Sequence, residues 1–447
     1  MVPCQILHLD LSAGFPAVHL EPGYQGLYVV FWWRNIPLGH RKIPESLLPL
    51  SEAQLTDLAL QTITPTIGSY LLDHGFNPPL PKGCRNVIPA PPPDFATLQS
   101  LDRPLALLDQ IATDRRVPDE TISVVICTRD RPEQLEQCLR SLQSLTVAPT
   151  EILVVDSAPR SDATRKLMAQ FPQVRYVLES QPGLSRARNT GIAHSCGDLI
   201  AFTDDDVVVH PDWIWRLMQG FHNPNVMVVL GLAIAAELET ESQWIFESRH
   251  SFNRGYRTRV FDAQFFEGMR YCGAPVWELG AGANMAIRRK AIEQVGEFDP
   301  RLGAGASGCS EDSEFWYRVL AAGWLCLYHP TAVVYHYHRQ DMESLQQQMY
   351  AYMRGNSAAL LVQFEKYRHW GNLRRLLATF KERTLSLLKG LFKNPTAEQR
   401  AERRTVEIEL LGYLAGVGFY LRNSARNSAI ALSDGKSQAE RSLHRYS

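Results

Sequence analysis

The chain reads as an α/β protein: a mostly parallel central sheet with flanking helices, preceded by a small N-terminal accessory domain and followed by a helical C-terminal region. Three observations predict this. From Thr121 to about His338, short continuous apolar runs alternate with segments of helical spacing, the pattern of βαβ units. Before about Pro118 the composition differs and a proline-rich run intervenes. From about Met342 the sequence is helical in pattern and rich in Lys, Arg and Leu. At 447 residues, two or three domains are expected. Their boundaries fall at 1–117, 118–340 and 341–447.

The N-terminal part opens with ILHLDL, then GLYVVFWWRNIPLG, which predicts a strand pair with a turn. SEAQLTDLALQTI follows with some helical pattern. Prolines from Pro78 to Pro93 block regular structure and mark a linker, and Phe95 to Ala112 predicts a short helix. ISVVICT is the sort of strand buried on both faces of a parallel sheet. Leucines at 135, 139, 142 and 145 put a helix over Pro132 to Leu145. EILVVDS, a helix over Ser161 to Phe171, VRYVLES, a helix over Ser185 to Ser195, and DLIAFTD complete the alternation. Functional loops in such sheets lie at the carboxyl ends of the strands. Those loops carry Thr128 and Arg129, then Asp156, then Asp204 to Asp206.

Composition excludes several classes. Apolar residues make up 45% and charged residues 21%, as in a globular protein. Lys plus Arg (46) nearly balances Asp plus Glu (47), a net charge of -1 that argues against a nucleic-acid partner. The eight cysteines are scattered, with no C-x-x-C and no zinc spacing, so a reducing, cytoplasmic setting is expected. No basic segment followed by an apolar core opens the chain, so no signal peptide is expected. No run of 18 apolar residues exists. Leu410 to Leu421 is too short to span a bilayer and reads as a buried or interfacial helix. Basic amphipathic helices around Arg374, Lys381 and Arg400 to Arg404 are candidates for peripheral contact with the inner face of a plasma membrane, although most such helices are solvated faces.

The chemistry concentrates in acidic loops. Asp204, Asp205 and Asp206 follow the apolar run Leu199 to Phe202. Adjacent carboxylates raise one another's cost of ionisation, and a divalent cation bound to oxygen ligands offsets it. A bare Asp triplet is also a common solvated turn. Asp156 can accept from a ribose or base, or close an Asx turn. In QPGLSRARNTGI, Gly183 allows a tight turn, Ser185 is a candidate cap, and Arg186 and Arg188 can meet phosphates or lie as surface charge. In SEDSEFWYR, the acidic residues suit a first helical turn, and one of them can serve as general base for a sugar hydroxyl. His336 and His338 share one face after TAVVYHYH and can touch a metal or diphosphate. GAGANMA spells a dinucleotide motif without the βα unit it needs. No Walker motif, G-x-S-x-G or H-E-x-x-H occurs.

Taken in order, VVICTRDRPEQLEQCLRSL, EILVVDS, GLSRARNTGI, DLIAFTDDDV, GANMAIRR with GEFDPRLG, and EDSEFWYRVLAAGW resemble the family 2 glycosyltransferases, which have the GT-A fold. The pieces cover roughly Ile122 to His338. The resemblance implies inverting transfer from a nucleotide-diphosphate sugar to a glycan, lipid-linked or small-molecule acceptor. It implies a nucleotide pocket lined by Thr128, Arg129 and Asp156, with Arg186, Asp204 and Asp205 also on the donor. Asp206 would bind a divalent cation, manganese or magnesium, with Asp204 and His336 as further metal contacts. Asp312 would be the catalytic base, with Glu311 beside it. Gly282, Asn284 and Trp316 would shape the sugar or acceptor site. Two departures matter. VVDSAPRSD lacks the second acidic residue and Gly-Ser of many relatives, which leaves the donor base open. No Q-x-x-R-W follows His338, which favours single addition over processive synthesis. A nucleotidyl transferase would want a Gly-rich basic loop that CTRDRP does not supply. A degenerate, nucleotide-sugar-binding scaffold is the alternative, to be told apart by binding without turnover.

Overall fold

A computed structural model describes residues 3–16, 18–74, 104–389 and 404–424. The expected proline-rich linker, the start of the Phe95 helix, and Arg400 and Arg403 lie outside the described residues.

Three N-terminal strands form one sheet: β1 (Gln5–Asp10), β2 (Gly26–Trp33) and β3 (Ile36–Pro44), with β1 parallel and β3 antiparallel to β2. The β2–β3 turn is tight, with Arg34 at φ 54. Helix α1 (Glu52–Asp73) starts on a capping box in which Ser51 and Gln54 satisfy each other's backbone N–H groups. α2 is Pro104–Thr113. Strand β2 is buried on both faces. Leu27, Val29 and Phe31 pack with α1 residues Leu55, Ala59 and Ile63, whereas Tyr28, Val30 and Trp32 enter the core of the large sheet. The period-2 geometry of a strand makes this division automatic, and the N-terminal sheet thereby shares a core with the rest.

The large sheet begins with β4 (Ile122–Thr128), α3 (Pro132–Leu142), β5 (Glu151–Ser157), α4 (Ala163–Leu167), β6 (Val174–Glu179), α5 (Leu184–His194) and β7 (Leu199–Asp204). It continues with β8 (Val207–Val209), α6 (Trp213–Gln219), β9 (Val226–Ala235), α7 (Glu241–Arg249), β10 (Arg259–Phe261), α8 (Ala263–Met269), β11 (Asn284–Arg288), α9 (Arg289–Val295), α10 (Glu311–Ala321) and β12 (Leu325–His336). Strand order is β10-β12-β9-β11-β7-β4-β5-β6, with β8 on β12. β4 through β7 are mutually parallel. β11 inserts antiparallel between β7 and β9, and β9 pairs β12 in parallel.

The central strands of this sheet are buried on both faces. On β4, Val124 and Ile126 join Leu135, Cys138 and Leu139 of α3 in one core, while Val125 joins Val155, Phe202 and Phe315 in the other. Each such buried aliphatic side chain stabilises by about 1.5–3 kcal/mol. α11 (Met342–Tyr367), α12 (Trp370–Lys389) and a helix over 404–424 follow. On the last, a Cβ at Gly412 or Gly416 would stand 2.4 or 2.1 Å from the carbonyl oxygens of Tyr350 or Arg354, so these glycines let the helix lie against α11. No helix among the described residues is long and apolar enough to cross a membrane.

Candidate active site

Register gathers the first set of residues. Thr128 is the partner of Asp156, and Cys127 of Asp204, across β4, β5 and β7. The three strand ends therefore present their side chains along one edge. Asp156 is buried. Its Oδ2 accepts from the Tyr176 hydroxyl at 3.0 Å, its Oδ1 has no partner, and burial raises its pKa. A buried carboxylate oxygen without a donor marks a place for a ligand N–H or hydroxyl.

The Asp triplet divides its work. Asp205 is buried and accepts from Thr128 Oγ1 at 2.8 Å and Arg131 Nη1 at 3.0 Å. Burial, with Asp206 alongside, pushes it up to about 6 despite Arg131. The same Arg131 nitrogen reaches Asp206 Oδ2 at 3.2 Å, and Arg339 Nη2 lies 3.6 Å from that oxygen. Asp204 is more open, with its Oδ1 3.6 Å from Arg188 Nη2. Its pKa is raised by burial, against Arg188, with Asp206 adding to the rise.

β8 pairs with the end of β12 so that Val207 sits opposite His336. His336 Nε2 thus comes to 3.5 Å from Asp206 Oδ1. Burial, reinforced by His338, lowers His336 to about 3, so its ring is neutral and able to ligate a metal. Its Nδ1 lies 3.1 Å from His338 Nδ1, and His338 Nε2 lies 3.2 Å from Glu247 Oε2. Glu247 also accepts from the hydroxyls of Tyr28 and Ser251, both at 3.0 Å. Burial opposes its charge, but these hydrogen bonds, with His338 first among them, hold its carboxyl below the ordinary range.

The third group lies at the start of α10. Gly303, Gly305, Gly308 and Ser310 all have positive φ, so a tightly turned loop delivers this helix. Asp312 Oδ2 accepts from the Gly282 N–H at 2.9 Å, and its Oδ1 from the Ser313 N–H at 2.6 Å. Glu311 is buried and accepts from Arg188 Nη1 at 2.5 Å, while its Oε2 is unpartnered. Burial pushes Glu311 up to about 7, Arg188 working against the rise and Asp312 with it. Burial works against the Arg188 charge too, but Glu311 and Asp204 more than offset it.

Several expected residues are placed otherwise. Arg186 is exposed, and it is Arg188, two residues on and on the inward face of α5, that enters the site. Ser185 does not cap α5: Gly183 occupies the cap at φ 137, and the Ser185 hydroxyl donates to the Leu302 carbonyl at 2.7 Å. Asn284 is a sheet fastener, its amide donating to Leu232 and Ala332 carbonyls and accepting from Trp213 Nε1. Trp316 is fully buried in the core. Glu314 pairs with Arg318 and Lys366 away from Asp312. Arg129 is exposed, 3.8 Å from Asp130. Gly282 does stand at the site, where a Cβ would meet Asp312 Oδ2 at 2.6 Å.

Arg131, Arg339 and Glu247 went unnoticed in the sequence. Arg131 had a signal, as the second arginine of TRDRP. The left-handed Asp130 (φ 55) between the two arginines turns the chain there. Glu247 had none, because its partners come from elsewhere in the chain.

The donor set of two carboxylates and a neutral imidazole suits manganese or magnesium. Among the described residues, no three His, Cys, Asp or Glu side chains are already gathered as a metal centre. Five carboxylates, Asp204, Asp205, Asp206, Glu311 and Asp312, face three guanidiniums, Arg131, Arg188 and Arg339. The raised carboxyls at Asp204 and Asp205 are the cost of that imbalance, and a cation would relieve it.

Residues 123–296 match the family model described as glycosyl transferase family 2. The chain is 29% identical over 233 residues to the succinoglycan biosynthesis protein ExoM of Rhizobium meliloti, covering 49% of this chain and 68% of that protein. It is 26% identical over 242 residues to the pre-mycofactocin glycosyltransferase of Mycobacterium tuberculosis, covering 53% of this chain and 47% of that protein. The chain thus spans two thirds of the first relative's length and about half of the second's. Among solved structures, a mannosyltransferase of Pyrobaculum calidifontis in complex with GDP-Man and Mn2+ aligns at TM-score 0.44 and 15% identity, over 69% of this chain and 92% of that one. With its mixed α/β sheet, the chain is thus similar, through residues 123–296, to the family 2 glycosyltransferases.

Proposed function

We propose that the chain is an inverting, non-processive transferase that moves a sugar from a nucleotide-diphosphate donor to an acceptor hydroxyl in glycan or polysaccharide biosynthesis. One observation carries this reading: the Asp312 carboxylate, fixed by the Gly282 and Ser313 N–H groups, stands beside the Arg188–Asp204 pair at the edge where the donor-facing strand ends converge. In this reading the acceptor oxygen forms a bond to the anomeric carbon from the face opposite the diphosphate. The bond from that carbon to the diphosphate oxygen breaks, its electron pair leaving with the nucleotide. The hydroxyl proton passes to Asp312. Asp156 receives a donor hydroxyl or base N–H on its open Oδ1. Asp206, Asp204 and His336 would hold a divalent cation, which supplies charge neutralisation for the leaving diphosphate. Arg131 and Arg188 keep the remaining carboxylates paired and in place.

The reading includes three structural units at 1–117, 118–340 and 341–447. It also includes a cytoplasmic enzyme whose C-terminal helices rest on an anionic membrane surface. Exposed Leu377, Leu385 and Leu388, on the same helix as Arg374 and Lys381, and exposed Leu411 and Leu414 on the helix over 404–424 support that contact.

The test is thermal stabilisation by UDP-, GDP- and dTDP-sugars, with Mn2+ and then with EDTA. Selective, metal-dependent stabilisation followed by turnover is expected. Stabilisation without turnover against any glycan or lipid-linked acceptor would favour a nucleotide-sugar-binding scaffold, and no stabilisation by any donor would overturn the reading.

A further inference from the structure

We infer that Glu247 is a positioning residue for the cation site, acting through His338 on His336, and that Tyr28 makes the N-terminal sheet part of that site. The inference rests on the proposed metal-dependent transfer. A carboxylate only accepts. Glu247 Oε1 takes the Tyr28 hydroxyl, and Oε2 takes the Ser251 hydroxyl and faces His338 Nε2 at 3.2 Å. His338 Nε2 must therefore carry the proton it donates.

A cation on His336 Nε2 needs that nitrogen bare, which puts the His336 proton on Nδ1. His338 Nδ1, 3.1 Å away, then accepts it, so the Glu247 contact and a bound cation select the same pair of tautomers. His336 Nε2 stands 3.5 Å from Asp206 Oδ1, so one cation could be held by both. A metal-ligating histidine commonly has its other ring nitrogen fixed by a carboxylate in this way, which sets tautomer and ring angle together. Here the carboxylate is one residue further off, and its far oxygen is held by a strand 219 residues away in the sequence.

Packing agrees with this direction. Phe246, the neighbour of Glu247 on α7, lies with its ring 4.6 Å from that of His338, and Phe252 stands edge-on to His336 at 5.0 Å. The two imidazoles are thus clamped by aromatic rings as well as by hydrogen bonds. Nothing else in the site uses Glu247: it touches no carboxylate of the Asp triplet and no residue of α10.

The experiment titrates Mn2+, alone and with UDP or GDP, into the full chain, reading free Mn2+ by electron paramagnetic resonance. The variants are Glu247→Gln, Tyr28→Phe, His336→Ala, and Glu247→Gln combined with His336→Ala. Melting in EDTA is measured on each. Glu247→Gln can present its amide N–H to His338 Nε2 and so reverse both tautomers. It is expected to weaken Mn2+ binding about tenfold or more. Tyr28→Phe is expected to weaken it less. In the His336→Ala background, Glu247→Gln should change Mn2+ affinity no further, because its effect passes through that ring. A merely structural role would lower melting in EDTA and would persist in that background. Unchanged Mn2+ affinity in Glu247→Gln, or an equal loss in both backgrounds, overturns the inference while leaving the metal-dependent reading intact. Failure of the wild-type chain to bind Mn2+ under any of these conditions overturns both.

Discussion

The two halves of the large sheet reach the site by different routes. On the β4–β7 side, parallel neighbours in register bring Thr128, Asp156 and Asp204 to one edge, and the strands that do this belong to one continuous βαβ run of the sequence. On the β11–β12 side, Asp312 is held by Gly282, thirty residues away, and His336 by a chain of contacts that ends at Tyr28. The first half depends on strand register, which a buried parallel sheet specifies strongly. The second depends on packing between elements far apart, so substitutions there couple the site to stability.

The largest effect belongs to Asp312→Asn. The amide keeps the shape and the Gly282 contact but cannot take a proton. Transfer should fall by about 10²–10⁴-fold, with donor binding retained by the β4–β7 side. Near-normal turnover would move the base to Glu311 or elsewhere. Phe31→Ala comes next, at about 3–5 kcal/mol of stability, because Phe31 fills the core between β2 and α1. Tyr28, Val30 and Trp32 share the large sheet's core, so melting should remain a single transition that moves as a whole. A separate low-temperature transition would show that the N-terminal sheet unfolds by itself and would break the coupling claimed for the second half.

Gly282→Ala tests how closely that half is fitted. Its Cβ would stand 2.6 Å from Asp312 Oδ2 and 3.0 Å from Arg188 Nη2, so the proposed base must move. A displacement near 1 Å costs about 10²-fold in kcat, and donor affinity should change little. Equal losses in donor affinity and kcat would mean that Gly282 serves the donor side instead.

Glu311→Gln gives a pH signature. The Glu311 carboxyl sits at about 7, against an ordinary 4.5. Between those values the native state keeps a proton that the unfolded chain has released. Stability from this group is therefore present at low pH and lost as pH rises toward 7, at up to about 1.4 kcal/mol per pH unit. The melting temperature of Glu311→Gln minus that of the wild type should climb from pH 5 to pH 7 and then level off. A flat difference would place the Glu311 proton off well below neutrality.

What the sequence disclosed divides along the same line. The strands ISVVICT, EILVVDS and DLIAFTD are nearly continuous apolar runs because both their faces are buried, and their ends name Thr128, Asp156 and Asp204 directly. The acidic start of α10 was legible in SEDSEFWYR, and the resemblance alone singled out Asp312 within it. Arg186 and Arg188 look alike in the sequence, and only the orientation of α5 chooses between them. Asn284 and Trp316 look like site residues because they sit within conspicuous motifs, yet one fastens three strands and the other fills the core. Glu247 could not be found, since nothing local relates WIFES to YHYH or to β2. That information lies in tertiary packing alone.

The smallest expected effect tests the helix over 404–424, which lies outside both halves. Its glycine face rests on α11, with Ser357 donating to the Tyr413 carbonyl at 2.8 Å. Leu411 and Leu414 point away, 60% and 49% exposed. Side chains so exposed contribute little to the fold, and replacing both with Gln should change stability by no more than about 0.5 kcal/mol each. Vesicles containing anionic lipid distinguish a solvated face from a membrane-facing one. If the helix rests on a bilayer, burying each leucine there would add about 1.5–3 kcal/mol, so the double variant should lose binding that the wild type shows. The same loss should follow from raised salt, because Arg374, Lys381 and Arg422 would supply the electrostatic part. Wild-type protein that fails to sediment with such vesicles at low salt would assign these leucines to solvent or to another protein surface.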